Sequence, residues 1–416
     1  MGLKPQIVHI VVINNNKING FYLHICGHIS MNYFHCFCAI RKDWQNGGFM
    51  NQTITFYPEG NAECILLELG NGKRMLMDYA NKYNSDDRYT DLESAFDGIK
   101  SFEVVMFTHP HEDHVEGASD IFYLEHADKY KSEDRIKIEE LWISAAFLLD
   151  KDLCEDARVI RQEARYRLKK CNGKGIKIFA APNSLCSWLK ENGLSTDEKD
   201  HPIIHAGTLL DSLKHNLGDE VSIFTHAPFS EDAEDTEDRN EPSIVLQVSL
   251  NNLYRQTNLL ITGDTPYNVL DKIVERSENN GNADYLKWDL YDIPHHCSHT
   301  GLSSQKGDKI TEPSEKVKRL LSKYGQQNAV LVASCRAFSD IKGEDDTQPP
   351  HLQAKKAYQK YSKNSDGTFK TLFVTSEYHG TQNPKPLRLE IDFYGIHEDI
   401  KTYNTIINSP APRAGC

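Results

Sequence analysis

Three apolar, strand-like segments of this chain each run directly into histidine or aspartate residues, and this limits the possible folds more than any other feature. Phe102–Phe107 is apolar apart from one glutamate, and Thr-His-Pro-His-Glu-Asp-His follows it at positions 108–114. Leu259–Ile261 leads into Thr-Gly-Asp, and the segment beginning at Leu290 leads into Pro-His-His-Cys-Ser-His. Because loops after buried strands present side chains at a sheet edge, the pattern predicts imidazoles and carboxylates gathered at one edge.

The first of these loops has the residue types and the spacing of a metal site. Alternate residues of an extended segment share a face, so His109 and His111 can reach one cation together. A turn then aims Asp113 and His114 at a second cation beside the first. Imidazole nitrogens suit Zn or Fe, and a carboxylate adds the oxygen ligation that Zn, Fe and Mn accept.

The other two loops supply the complementary residues. Gly263 permits a close backbone approach, and Asp264 after it is placed to bridge two cations. Either His295 or His296 could be a ligand, and the other would then support it or transfer a proton. We expect catalysis to depend on Asp113, Asp264 and His296.

The remaining chain alternates strands and helices from Gln52 onward, which predicts an α/β fold of two sheets with helices outside. The predicted strands are Thr53–Tyr57, Cys64–Leu69, Arg74–Asp78, Phe102–Phe107, Ile136–Ile143, Ile176–Ala180, Val221–Phe224, Ser243–Leu250, Asn258–Thr262, Leu286–Ile293, Ala329–Ala333, Thr371–Thr375 and Leu387–Phe393. The predicted helices are Thr90–Ile99, Glu116–Lys129, Asp152–Lys170, Asn183–Asn192, Pro266–Arg276, Ser314–Lys323 and His351–Tyr361.

Composition bounds the domain organisation and the compartment. Residues 1–49 are rich in His, Cys and Asn, and we expect an N-terminal extension that is disordered or precedes the true start. A hydrolase domain would then span 50–400, with a tail at 401–416.

No apolar run is long enough to cross a bilayer, and ten scattered cysteines among 416 residues predict reduced thiols in the cytoplasm. A weaker hypothesis is a metal site at His24, Cys26 and His28.

At these motifs the chain resembles the metallo-β-lactamase superfamily, and within it the branch containing the hydrolase domain of the bacterial DNA-uptake competence protein. The matching residues are His109–His114, Gly263-Asp264 and Pro294–Ser298, with lesser matches from Gly60 to Pro350-His351. The resemblance covers about residues 52–395.

The resemblance implies an αββα sandwich with two divalent metal ions, most often Zn, with Mn or Fe as alternatives. His109 and His111 would hold the first ion; Asp113, His114 and His295 would hold the second, with Asp264 bridging. Asp78 would be a buried residue that supports the ligand loop.

The chain departs from the family pattern at two places. Cys297 replaces a glycine, and packing is the favoured interpretation of its thiol. The third histidine of many members has no obvious match: His226 is the best candidate, and His201 and His205 are weaker ones.

The implied activity is hydrolysis by a metal-bound hydroxide, with a phosphodiester of a nucleic acid or nucleotide as substrate. The net charge of −13 disfavours a long nucleic acid and leaves small phosphodiesters open. Alternatives are an esterase or lactonase, and a metal-binding regulator without catalysis. We expect no membrane partner.

Overall fold

The computed structural model describes residues 8–14, 17–23, 52–197, 202–233, 238–251, 255–341 and 347–399. By its internal contacts the chain divides into two units, Met1–Met50 and Asn51–Cys416. In the first unit, strands β1 (Val8–Asn14) and β2 (Lys17–Leu23) pair antiparallel. The residues His24, Cys26 and His28 and the predicted tail 401–416 lie outside the described residues.

The second unit contains two large sheets. Its strands are β3 Gln52–Phe56, β4 Ile65–Glu68, β5 Arg74–Met77, β6 Ser101–Phe107, β7 Phe122–Tyr123, β8 Ile136–Ser144, β9 Ile176–Phe179, β10 Ile203–Ile204, β11 Leu209–Leu210, β12 Val221–Ala227, β13 Val245–Asn251, β14 Gln256–Ile261, β15 Trp288–Asp292, β16 Gly325–Ala333, β17 Thr371–Val374, β18 Leu387–Asp392 and β19 Gly395–Glu398.

Helices connect many of these strands, which makes the fold mixed α/β. The described α-helices are Leu92–Ala95, Glu112–Val115, Ala118–Ile121, Ala145–Leu149, Glu155–Lys170, Asn183–Glu191, Tyr267–Asn279, Glu315–Lys323 and Leu352–Tyr361, together with the helix-like turn Pro294–Cys297. No helix in the described part of the chain has both the length and the apolar character needed to cross a membrane.

The strand order of each sheet brings functional loops to one edge. The first sheet runs β10-β9-β8-β6-β5-β4-β3-β18-β19, with β7 beside β8, and the second runs from β11 to β17 in order. Strands β5, β6, β8 and β9 are parallel, as are β14 to β17. Parallel neighbours end at the same edge, so the loops after β14 and β15 emerge side by side.

Apolar side chains of both sheets meet in one core cluster. This cluster draws on β3, β5 and β6 of the first sheet and on β12, β13, β14 and β15 of the second; its members include Ile54, Phe56, Met75, Val104, Met106, Ile223, Leu246, Val248, Leu259, Ile261 and Leu290. Two further clusters contain the helices on the outer faces of the two sheets.

The apolar runs in the sequence are explained by strands buried on both faces. Along β6, Val104 and Met106 lie in the shared cluster, whereas Phe102, Val105 and Phe107 lie in the cluster with the helices. Side chains alternate between the faces of a strand, so each face needs apolar residues and the sequence shows an unbroken run.

Two predicted helices are wrong in extent. Thr90–Ile99 is helical only over Leu92–Ala95, because Gly98 turns the chain with a φ of 82°. Glu116–Lys129 is not one helix: Ala118–Ile121 is followed at once by the strand Phe122–Tyr123, which pairs with β8.

Candidate metal centre

The loops after β6, β14 and β15 converge and bring together two groups of potential metal ligands. One group is Asp113, His114, Asp264 and His296, and the other is His109, His111 and Asp264. Within each group the potential ligand atoms all lie within 4.8 Å of one another. Asp264 belongs to both groups, so it lies between them.

The first group is built from buried nitrogens that face carboxylate oxygens. Asp264 Oδ1 lies 3.2 Å from His114 Nε2 and 3.5 Å from His296 Nε2. His296 Nε2 is also 3.4 Å from Asp113 Oδ2. The two Nε2 atoms and Asp264 Oδ1 are buried without a hydrogen-bond partner in the described structure. Such polar atoms are costly to bury alone, and a cation between them would satisfy all three.

The second group faces the other oxygen of the same carboxylate. Asp264 Oδ2 lies 3.8 Å from His109 Nε2, and that nitrogen is 3.0 Å from His111 Nδ1. His109 is fully buried and His111 is partly exposed. The Asp264 carboxylate therefore directs one oxygen toward each group, which is the geometry a bridging ligand requires.

Supporting contacts set the proton position on two of the histidines. His114 Nδ1 lies 2.7 Å from Asp78 Oδ2, and His296 Nδ1 lies 2.8 Å from the carbonyl oxygen of Ser334. Both partners are acceptors, so each Nδ1 carries the proton of a neutral ring and leaves the Nε2 lone pair available. A second hydrogen bond of this kind orients most histidine metal ligands.

Asp78 also holds the loop itself, as predicted. It is fully buried and accepts hydrogen bonds from Thr108 N at 2.7 Å and from Thr108 Oγ1 at 2.6 Å. Thr108 in turn lies against Gly263, whose φ is 51° and where a Cβ would come within 3.0 Å of the Thr108 side chain. Glycine is needed there because the two loops approach so closely.

The surroundings favour an ionised Asp264 and a neutral His109, the forms in which these side chains bind a cation. Burial favours the neutral acid, yet His296 and His114 hold the pKa of Asp264 well below its usual range. Burial lowers the pKa of His109 well below its ordinary value, which keeps that ring neutral. Burial also opposes the charged form of His114, but Asp264 and Asp78 together raise its pKa well above the ordinary value. A cation at His114 Nε2 would therefore compete with a proton for the same lone pair.

Glu63 was not anticipated from the sequence. It forms a third buried group with Asp78 and His114, its Oε2 lying 3.7 Å from His114 Nδ1. Burial, reinforced by Asp292, raises the pKa of Glu63 well above its ordinary value, and burial raises that of Asp292 to about 7. A lone glutamate after a turn has no local signature that would have identified it.

The structure places the two adjacent histidines differently. His296 is buried and lies in the four-residue group, whereas His295 is in neither group. His295 Nε2 is 3.8 Å from Asp264 Oδ2, its side chain is 23% exposed, and its Nδ1 bonds to Thr300 Oγ1 at 2.8 Å. His295 thus borders the centre on the solvent side.

The candidate third histidine, His226, lies outside both ligand groups. His226 is buried, but its Nε2 bonds to the carbonyl oxygen of Tyr285 at 3.0 Å and it is absent from the ligand groups among the described residues. His226 lines a separate cavity of about 190 Å³ with Phe224 and Arg276. His205 is absent from those groups as well, and His201 lies outside the described residues.

Cys297 packs rather than binds. Its side chain is fully buried in the apolar cluster on the outer face of the second sheet. Burial raises the pKa of its thiol to about 12, so the thiolate that a metal would need is disfavoured.

Comparisons with known proteins find likeness in structure but not in sequence. No protein-family model matches the chain, and no curated protein sequence matches it. A solved structure from the kinetic and structural characterization of the first B3 metallo-β-lactamase with an active-site glutamic acid is similar, with a TM-score of 0.26 and 14% identity over 64% of this chain and 85% of that chain.

Proposed function

We propose that this protein is a metal-dependent hydrolase with two divalent cations bound at the loops after β6, β14 and β15. The observation that carries the proposal is the Asp264 carboxylate, whose Oδ1 and Oδ2 face two separate groups of histidines. Such bridging geometry is typical of two-metal hydrolytic sites. Zn is the favoured ion for imidazole and carboxylate ligands, with Mn or Fe as alternatives.

In this proposal the residues divide between the two cations. His109 and His111 hold the first, Asp113, His114 and His296 hold the second, and Asp264 contacts both. When bound, such cations lower the pKa of water and polarise the oxygen of the scissile group.

The protein's own groups orient the reactants. Asp113 is partly exposed, with its Oδ2 3.4 Å from His296 Nε2, so it can orient a water and accept its proton. His295 borders the site with its Nε2 facing Asp264, where it can contact a substrate oxygen or protonate the leaving group.

We further propose the αββα sandwich as the architecture and residues 50–400 as the catalytic unit. The core cluster shared by both large sheets supports face-to-face packing, with the other two clusters placing helices on the outer faces. The motif resemblance to the competence-protein branch is consistent with this assignment.

The proposed substrate is a phosphodiester, and a small one is favoured. Paired cations suit an in-line displacement at phosphorus, because they stabilise both the attacking and the leaving oxygen. A net charge of −13 offers little general attraction to a long nucleic acid. Nucleotides, cyclic nucleotides and short oligonucleotides are therefore the substrates to test first.

The test compares substrates and variants of the purified protein. We expect turnover of bis-p-nitrophenyl phosphate with Zn or Mn that exceeds turnover of p-nitrophenyl acetate. Asp264→Ala should abolish turnover while the circular dichroism spectrum stays that of a folded protein. Turnover of the acetate alone would support the acyl alternative, and bound metal without either activity would support a regulatory protein.

Asp289→Ala is the matched control for Asp264→Ala. Asp289 is also a buried aspartate of the second sheet, but it lies within β15 and accepts hydrogen bonds from Arg255 Nη2 at 2.6 Å and Asn258 N at 2.9 Å. Its loss should lower stability without changing metal content. Full activity in Asp264→Ala would contradict the two-metal assignment.

A further inference from the structure

The turn that carries His296 has an unusual backbone. His295, His296 and Cys297 have φ values of 51°, 52° and 62°, three consecutive left-handed residues with side chains. L-residues other than glycine adopt this conformation rarely, and a run of them persists only where surrounding contacts enforce it. The position of His296 therefore depends on whatever holds this turn.

His351, from a distant part of the chain, makes two hydrogen bonds to this segment. Its backbone N–H donates to the carbonyl oxygen of Cys297 at 3.1 Å, and its Nδ1 accepts from the backbone N–H of His299 at 3.1 Å. The His351 and His299 rings also meet edge to face, with centroids 4.9 Å apart. His351 is 4% exposed and immediately precedes the helix Leu352–Tyr361.

These two bonds restrain the chain on the C-terminal side of His296. The Cys297 carbonyl and the His299 amide are one and three residues beyond it, so they fix the direction in which the chain leaves the left-handed turn. On the other side of the turn, His295 N donates to the carbonyl oxygen of Gly263 at 3.1 Å. Within the segment, Ser298 N donates to the carbonyl oxygen of His295 at 2.8 Å, and His296 Nδ1 bonds to Ser334 as described above. The backbone bond of His351 does not depend on its side chain, so the bond from His299 N to the imidazole is the one that a substitution can remove.

We propose that His351 is a positioning residue that holds the left-handed turn and thereby keeps His296 Nε2 facing Asp113 and Asp264. His351 itself binds no metal in this proposal. The part of the proposal that concerns metal affinity rests on the proposed function, whereas the part that concerns the turn does not.

The test compares variants that remove or retain the hydrogen-bond acceptor that His351 Nδ1 provides. His351→Leu deletes it, and His351→Asn restores an oxygen acceptor close to the position of Nδ1. The matched control is His215→Leu, because His215 is 5% exposed and its Nδ1 likewise accepts a backbone N–H, from Leu217 at 3.3 Å. The readouts are hydrogen exchange of the metal-free proteins over residues 295–300 and Zn affinity measured by competition with a chromophoric chelator.

In His351→Leu we expect exchange over residues 295–300 to accelerate by about tenfold or more. Affinity for the Zn at the group that includes His296 should fall by about 10–100-fold, the usual effect of losing a residue that supports a metal ligand. His351→Asn should recover most of both effects, and His215→Leu should show neither. If His351 contributed only to overall stability, His215→Leu would weaken Zn binding as much as His351→Leu does.

Unchanged exchange and unchanged Zn affinity in His351→Leu would overturn the proposal. Accelerated exchange with unchanged Zn affinity would overturn the link to His296. If the wild-type protein bound no divalent metal at all, the proposed function would fail, and the exchange comparison alone would decide whether His351 holds the turn.

Discussion

Replacing Asp78 with asparagine should switch the proton on His114 and weaken metal binding without unfolding the protein. Asp78 Oδ1 accepts from Thr108 N, and an asparagine oxygen at that position can keep this bond. The amide nitrogen then replaces Oδ2, which faces His114 Nδ1 at 2.7 Å. The N–H groups of the asparagine would then face the Nδ1–H of His114, and neither group can accept a hydrogen bond from the other. The neutral His114 ring must therefore carry its proton on Nε2 instead.

The magnitude follows from the bonds that change. Oδ2 of Asp78 accepts two hydrogen bonds, from Thr108 Oγ1 at 2.6 Å and from His114 Nδ1 at 2.7 Å. Bonds to a charged group contribute about 1.5–3 kcal/mol each, and the reoriented Thr108 hydroxyl recovers part of that. We expect the metal-free protein to lose about 1–3 kcal/mol of stability. Metal affinity should fall by about 10–100-fold, because Nε2, 3.2 Å from Asp264 Oδ1, no longer offers a lone pair.

Urea denaturation with a chelator present measures the stability, and competition with a chromophoric chelator measures the affinity. Glu163→Gln is the matched control, since Glu163 is a buried carboxylate that accepts from His126 N at 3.0 Å and lies 3.1 Å from His126 Nδ1. The control should lose stability and keep its metal affinity. If Asp78→Asn bound metal as tightly as the wild type, the argument about the His114 proton would be refuted.

Three further predictions concern glycine, acid stability and thiol reactivity. Gly263→Ala should cost about 1–3 kcal/mol of unfolding free energy, because its φ is 51° and the new Cβ would lie 3.0 Å from the Thr108 side chain; an unchanged urea midpoint would contradict this close approach. Burial lowers the pKa of His226 to about 4. In the unfolded chain the same ring has an ordinary pKa of ~6.5, so below that pH it binds a proton that the folded chain does not bind. The protein therefore loses stability as the pH falls from about 6.5 toward 4. His226→Gln should remove about 2 kcal/mol of the loss between about pH 7 and about pH 5, and parallel stability curves for the two proteins would argue against this. Cys297 should remain unreactive toward a disulfide reagent in the folded protein, because it is fully buried and burial raises its pKa to about 12; rapid labelling at Cys297, located by mass spectrometry, would show that it is accessible.

The strands and the convergence of the ligand loops could be predicted because both rest on local patterns. An apolar run such as Phe102–Phe107 has few alternatives to a strand buried on both faces, and the residues after it must emerge at the sheet edge. The neighbouring positions of Asp264 and His296 follow from the parallel strands β14 and β15, which end at the same edge of their sheet. Prediction failed after Glu116, where a two-residue strand, Phe122–Tyr123, interrupts what reads as one helix.

The choice between His295 and His296 could not be made from the sequence. It depends on left-handed dihedral angles at three successive residues, and no residue type there requires them. Those angles depend on contacts between residues far apart in the chain, such as the bonds from His351. Glu63 was missed for the same reason, because only the fold brings it beside His114 and Asp78. His226 lies apart from the ligand loops because it faces the side of its sheet that the helix Tyr267–Asn279 covers.

The most direct test of the two-metal centre is anomalous diffraction from crystals of the protein prepared with Zn, recorded at the Zn absorption edge. We expect two peaks about 3.5–4 Å apart, the first contacted by His109 and His111 and the second by His114 and His296, with Asp264 contacting both. A single peak, or two peaks of which Asp264 contacts only one, would contradict the account.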